Sequence, residues 1–526
     1  NVARMGGGQY FSATNKNSLK QAVLDAIADI SNRGQTFATS AVTSIQTGQL
    51  SLTQLVPRMY PQRNLPWNGE LYRFAQRNEF VLETDLNGDG DQSDVFVVDA
   101  DDDVVIESSD GYFKKAGTYA NLSSSLSDGG ITADARPFWE ASRVLADAGW
   151  SGRTVWTVVD RNDTRASFTH EDRFVEFDKA NWQELIHTLG LEKAKCPNGS
   201  DRGDIFEKLN LNVATAYLMV GMGSLPVTDA ARWELCAKVV IDWVKGRDIG
   251  DEDSDGDRDE SRPSMLADVF HSSPVVVEPP VERFLCDLGI SNQCSKTLYT
   301  DSLPIAPATQ LDMTGNFNDP ICDKADGTDI QWSDPYDIWR ARQRARDRLV
   351  IVGSNGGMLH AFNNGKLINQ TCSGVAWTGT WNQGTGAEEW AFIPPDLLPK
   401  LQDMIVNGHE YFVDGDVMAK DIWADGSGST AADGKKQWDE FHTMVIGSEG
   451  RGGTHYFALE LIFPANANPG SVSVATPSTV GALRKPTSAN TVRPFRWIYP
   501  QPGTIEATRF GKTLFTLSPK PPPIGP

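Results

Sequence analysis

LVIVGSNGGMLHAF, residues 349–362, decides the fold. Leu349-Val350-Ile351-Val352 is a short run of aliphatic and β-branched residues, the composition of a buried strand. Gly353-Ser354-Asn355-Gly356-Gly357 is turn chemistry, and a second apolar run follows through Leu359 and Phe362, so the segment predicts a hairpin. The layout recurs at 444–459: a strand around Met444-Val445-Ile446, the turn Gly447-Ser448-Glu449-Gly450-Arg451-Gly452-Gly453, then a strand through Tyr456 and Leu459. Val275-Val276-Val277, Glu389 to Ile393 and Tyr411-Phe412-Val413 read as further short strands. Repeated strand, glycine turn and strand at long, irregular spacing favours a decorated β-propeller, although a β-sandwich uses the same hairpins.

Upstream, helices interrupt the strands. Leu19, Val23, Ile27 and Ile30 repeat at helical spacing behind a cap at Asn17 or Ser18, with Gly34 as the stop. Ser51 to Val56, the alternating Trp67 to Phe74, and the pair Phe80–Leu82 and Val95–Val98 around a Gly/Asp loop read as strands, with Trp67, Leu71 and Arg73 on one face. Arg136-Pro137 opens a helix that Gly149 stops, Arg153 to Val159 is a buried strand, Asn181 caps Trp182–Leu189, and Thr228 caps a helix running to Gly246. Leu211 to Gly223, the most apolar stretch, is too short for a membrane span and reads as a buried helix. The expected fold is mainly β with helical insertions: a helix and connector over 1–60 that continues a preceding domain, a mixed α/β region with an acidic hairpin loop over 61–262, and propeller blades over 263–526. The opening at Asn1 and the closing Pro521–Pro526 read as a piece of a longer chain.

Composition narrows the function. The 526 residues carry 69 Asp and Glu against 48 Lys and Arg, a net charge of −21 that repels nucleic acid and anionic membranes and suits cations. Asp85-Leu86-Asn87-Gly88-Asp89-Gly90-Asp91 places oxygen ligands at alternate positions with Gly where a calcium loop bends. Asp85, Asn87, Asp89 and Asp91 are the candidate ligands, with Asp94 substituting for the usual late Glu because Phe96 stands at that place. Asp248 to Glu260 holds eight carboxylates in thirteen residues. There Asp251, Asp253 and Asp255 begin the same pattern and Asp257 and Asp259 continue it, the other reading being a solvated linker. Asp99, Asp101, Asp102 and Asp103 read as a turn. Arg202-Gly203-Asp204 is an adhesion-type tripeptide in a loop, short enough to arise by chance. No Cys-x-x-Cys pair is present among the six cysteines; pairs 196–236, 286–294 and 322–372 are expected in an oxidising compartment, Cys286 and Cys294 bracketing a short loop, with other connectivities open. Enzymatic signals are weak. No His-x-x-x-His pair and no nucleophile elbow occurs, and His360 and His455, at matching places in the two hairpins, read as packing or turn residues.

Several strings together resemble the PilY-type type IV pilus proteins, a family that includes the Neisseria-type pilus adhesins: DRLVIVGSNGGMLHAFNNG (347–365), GAEEWAFIPPDLLPKL (386–401), YFVDGDVMAKDIW (411–423) and VIGSEGRGGTHYFALEL (445–461) resemble its C-terminal propeller. LADVFHSSPVVV (266–277) with VIDWVKGRD (240–248) resembles the entry to that propeller, and the stretches 5–30 and 65–74 resemble the segment leading to it. The resemblance implies a non-enzymatic pilus assembly factor and tip adhesin, located at the pilus tip or outer membrane of a Gram-negative bacterium, extracellular, working with minor pilins and meeting host or abiotic surfaces in adhesion, sensing and twitching motility. Two departures stand out: neither the family's Asp-x-Ser-x-Ser adhesion motif nor its Asp-x-Asn-x-Asp propeller calcium loop has a match where it is expected. The alternatives are a quinoprotein-like propeller dehydrogenase and a structural secreted calcium-binding protein.

Overall fold

The computed structural model describes most of residues 52–78, 95–107, 135–160, 172–280, 335–462 and 494–513, with short pieces at 41–42, 113–115, 168–169 and residue 298. Three larger sheets and a hairpin organise them. The first sheet is an antiparallel meander of Ala41–Val42, Leu52–Tyr60, Asn68–Asn78, Val95–Val98, Val104–Glu107 and Phe113–Lys115. Its long central pair runs in register from Leu52 opposite Gln76 to Tyr60 opposite Asn68. Leu71 and Arg73, expected on one face, are both buried. Phe80–Leu82 and the helix expected over 17–34 lie outside the described residues.

The second sheet has six strands in the order Val275–Val277, Arg348–Gly353, Leu359–Gly365, Glu388–Phe392, Val155–Val159, Arg173–Glu176. Its first four form an antiparallel meander containing the hairpin read at 349–362, where Val350 faces Phe362 and Ile351 faces Ala361. Glu388–Phe392 then pairs in parallel with Val155–Val159, so strands from both sides of residue 262 share one sheet. The third is a second four-stranded antiparallel meander: Val417–Trp423, Phe441–Ser448, Tyr456–Leu461, Phe495–Tyr499. Leu367–Ser373 and Ala376–Trp381 make the separate hairpin. The chain is mainly β with helical insertions, and no closed barrel or propeller is formed among the described residues.

One apolar core joins the second and third sheets. It runs from Val155 and Phe174 through Trp243, Ile351 and Trp390 to Val445, Leu459 and Ile498. The helix Asp229–Lys245 threads it and is buried from Leu235 to Lys245 except at Lys238, which explains why its apolar residues do not keep to one stripe. Thr228 caps it, accepting from the Ala231 N–H, and Gly246 ends it as expected. Each fully buried large side chain contributes about 1.5–3 kcal/mol. Charged residues at the end of this helix are paired: Asp242 meets Lys179 and Arg247, each at 2.9 Å, and Lys245 meets Asp178 at 2.6 Å. Cys196 and Cys236 form the expected disulfide, pinning the helix to the preceding turn. Cys286, Cys294 and Cys322 lie outside the described residues, as does the Cys372 side chain.

Four expectations need correction. The helix placed at Arg136 begins at Ala141, because Trp139–Glu140 pairs with Arg73 and Tyr72 and the Glu140 carboxylate caps the N–H groups of Ser142 and Arg143. Asn181 precedes Trp182–Leu189 but makes no side-chain cap; it donates to the Glu176 carbonyl, while Asp178 caps the short turn before it. The stretch 211–223 is not a buried helix: only Val213–Met219 is helical and Leu218 is 63% exposed, since Asn212 caps the helix late and the chain turns at Gly221. Tyr411–Val413 is no strand. Its backbone N–H groups go to the 353–357 turn, Phe412 to Asn355 Oδ1 at 3.0 Å and Val413 to the Ser354 carbonyl at 3.3 Å.

Candidate metal centre

The loop Asp248–Glu260 is closed at its base. The Asp248 N–H donates to the Glu260 carbonyl at 2.9 Å, Arg262 N–H donates to the Gly246 carbonyl at 2.8 Å, and Arg247 bridges Ser261. Within it the carboxylates fold the backbone around themselves: Asp251 accepts from the Gly256 N–H at 3.0 Å, Asp255 from Asp257 at 2.7 Å, and Asp257 from Asp259 at 2.9 Å. Gly256 takes φ +92, a bend a side chain would resist. Asp251, Asp253 and Asp255 bring one carboxylate oxygen each within 4.8 Å of the others, and Asp253 does the same with Asp248 and Glu260. Asp257 belongs to neither group, and Asp259 is spent on Arg247 at 2.9 Å. Arg258 donates to the carbonyls of Ile249 and Leu209. Burial and the neighbouring acids raise the carboxyls of Asp248 and Glu260 above the ordinary range. The sequence spacing does not single out Asp248 and Glu260 as ligands, because a count from Asp251 places the late ligand at Arg262. Glu260, two residues earlier, was the available signal.

The other sequence candidates fare differently. Asp85, Asn87, Asp89, Asp91 and Asp94 lie outside the described residues. Asp99 is buried and accepts from the N–H groups of Asp101, Asp103 and Arg136, while Asp101 holds the Arg136 guanidinium at 3.0 Å; this is a turn, as read. Arg202 donates to the carbonyls of Leu211 and Phe206, Gly203 sits buried against Cys196, and Asp204 starts the helix Asp204–Lys208, so the tripeptide's arginine is engaged with backbone.

Both hairpin histidines sit in charged clusters. His360 Nε2 lies 2.8 Å from Ser354 Oγ and its Nδ1 2.7 Å from Glu388 Oε1, the connectivity of a nucleophile relay. Ser354 and His360 are each 1% exposed, and Glu388 is also paired with Arg153 at 2.7 Å, so the group is packed into the sheet interior. His455 Nδ1 lies 3.0 Å from Asp396 Oδ2 and 3.4 Å from Glu449 Oε2. Burial and the facing Asp396 charge push the Glu449 carboxyl up to about 8. Burial pulls the His455 imidazole down, but hydrogen bonds to Asp396 and Glu449 overcome it and raise the group to about 10.

Comparison with curated proteins returns type IV pilus biogenesis factors. A PilY1 homolog of Xylella fastidiosa is 34% identical over 133 residues, 25% of this chain and 8% of that protein. PilY1 of Pseudomonas aeruginosa strain UCBPP-PA14 is 27% identical over 229 residues, 43% of this chain and 13% of that protein, and PilY1 of strain PAO1 is 30% identical over 142 residues. The matched segments therefore span about a tenth of these relatives' length. No family model and no solved structure matches. The chain is related to the PilY-type proteins, as the strings at 347–461 implied.

Proposed function

We propose, taking that relationship to the PilY-type pilus biogenesis factors as premise, that this chain is the assembly and tip-adhesion region of a type IV pilus factor. The observation that carries the reading is the 34% identity to a type IV pilus biogenesis factor homolog. In this reading it is non-enzymatic, acts with minor pilins at the pilus tip or outer membrane, and contributes to surface adhesion and twitching motility. No described helix is long and apolar enough to cross a membrane. The two four-stranded antiparallel meanders, each of the size of a propeller blade, support a propeller that further strands complete. The acidic loops bind calcium, with Asp251, Asp253 and Asp255 joined by Asp248 and Glu260 in one loop and Asp85, Asn87, Asp89, Asp91 and Asp94 forming the other.

The test is the amount of this protein in pili sheared from cells, with and without a calcium chelator. Enrichment with pilin is expected, and loss on chelation ties an acidic loop to assembly. A protein that stays in the envelope and never enters the sheared fraction would refute the assignment. For the loop, Asp253→Asn with Asp255→Asn should remove one bound calcium and abolish a calcium-dependent rise in melting temperature. Unchanged stoichiometry would show that the loop is only a solvated turn.

A further inference from the structure

Asp396, Glu449 and His455 come from two sheets. Asp396 follows the strand Glu388–Phe392 of the six-stranded sheet in the turn Pro395–Lys400, while Glu449 and His455 flank the glycine turn between Phe441–Ser448 and Tyr456–Leu461. The three side chains offer ligand atoms all within 4.8 Å of one another. Around His455 Nδ1 the carboxylate oxygens of Asp396 and Glu449 stand at 3.0 and 3.4 Å. Ligands about 2.0–2.1 Å from a four-coordinate zinc ion are separated by about 3.3 Å, close to the two separations from Nδ1.

A second observation points the same way. Glu449 is 0% exposed and its Oε1 has no hydrogen-bond partner; Asp396 Oδ1 is buried and unpartnered as well. Buried acceptors are normally satisfied, and two orphaned carboxylate oxygens in one cluster are unusual. The remaining contacts orient the group: Glu449 Oε2 accepts the His455 backbone N–H at 2.9 Å, and Thr454 Oγ1 lies 3.4 Å from Nδ1. Gly453 is required by the approach, since a Cβ there would lie 1.7 Å from Glu449 Oε2.

We propose that Asp396, Glu449 and His455 bind one divalent transition-metal ion of the zinc class, stapling the two sheets together. An imidazole nitrogen with two carboxylates suits zinc or cobalt and is a poor match to calcium, which takes six to eight oxygens. The site is thus chemically distinct from the acidic loop. A fourth position is left for water.

The experiment uses the full chain, stripped with chelator and titrated with Co²⁺, whose visible absorption reports its coordinating atoms, followed by displacement with Zn²⁺. To silence the acidic loop, all proteins carry Asp253→Asn and Asp255→Asn. One equivalent of Co²⁺ should give a saturating band that Zn²⁺ removes, and Zn²⁺ should raise the melting temperature. Glu449→Gln and His455→Gln should each weaken binding at least about tenfold and abolish the Zn²⁺-induced rise in melting temperature, read against each variant's own metal-free melting. Glu449→Gln keeps the size and shape of the side chain; should it fail to fold, His455→Gln carries the test. No saturation at millimolar Co²⁺, or an unaltered band in both variants, would overturn the site and leave the cluster a metal-free ion triplet.

Discussion

Glu388 shows how a single buried acid is made to serve the fold. Its carboxylate pairs with Arg153 at 2.7 Å and with His360 at 2.7 Å, and Arg153 also donates to the Lys245 carbonyl at 2.9 Å. Burial alone would raise this carboxyl, but the Arg153 charge and the His360 contact outweigh it and hold the group at about 2, against an ordinary 4.5. The sign follows. A depressed folded value stabilises the protein at every pH above about 4.5, and that contribution drains away as pH falls from about 4.5 through about 2. The melting temperature should therefore drop across that window. Glu388→Gln should flatten part of the slope and cost about 3–5 kcal/mol at neutral pH, because it takes the carboxylate away from the buried Arg153 charge. A wild-type acid slope retained in the variant would contradict this account of the residue.

At the scale of elements, the disulfide offers a clean test. Cys196 and Cys236 are separated by 40 residues, and closing a loop of that length restricts the unfolded chain by about 4 kcal/mol in the chain-entropy view. Replacing both with Ser should lower stability by up to that amount, measured by denaturant unfolding, with the helix Asp229–Lys245 retained because its cap at Thr228 and its buried residues do not depend on sulfur. Loss of helical signal along with stability would mean that the bridge, not the core, positions the helix. The same elements show what the sequence makes legible. Both glycine hairpins and the long capped helix could be read because their signals are local: β-branched runs, turn residues, an N-cap and a terminal glycine. Tyr411–Val413 could not, since its hydrogen-bond partners in the turn at 353–357 are more than fifty residues away in sequence. The candidate centre divides the same way. Asp251, Asp253 and Asp255 are visible as a spacing, whereas Asp396 meets Glu449 and His455 only after two sheets have packed.

The whole molecule is tied together across residue 262, where the sequence pattern changes from mixed to strand-rich. Val155–Val159 lies in parallel against Glu388–Phe392, Arg153 neutralises Glu388, and Leu55 and Leu71 of the first sheet share a core with Val350 and Phe362 of the second. Cutting there would expose an apolar strand edge, strip Glu388 of its cation and uncover one face of the central hairpin. Unpaired strands of that kind template aggregation. A fragment of residues 263–526 produced alone should therefore be aggregation-prone and bind a hydrophobic dye, and adding the 1–262 fragment during refolding should restore solubility. If residues 263–526 alone are monomeric and unfold cooperatively at the temperature of the full chain, then the parallel pairing is a peripheral contact, and the strand-rich half is a domain with a core of its own.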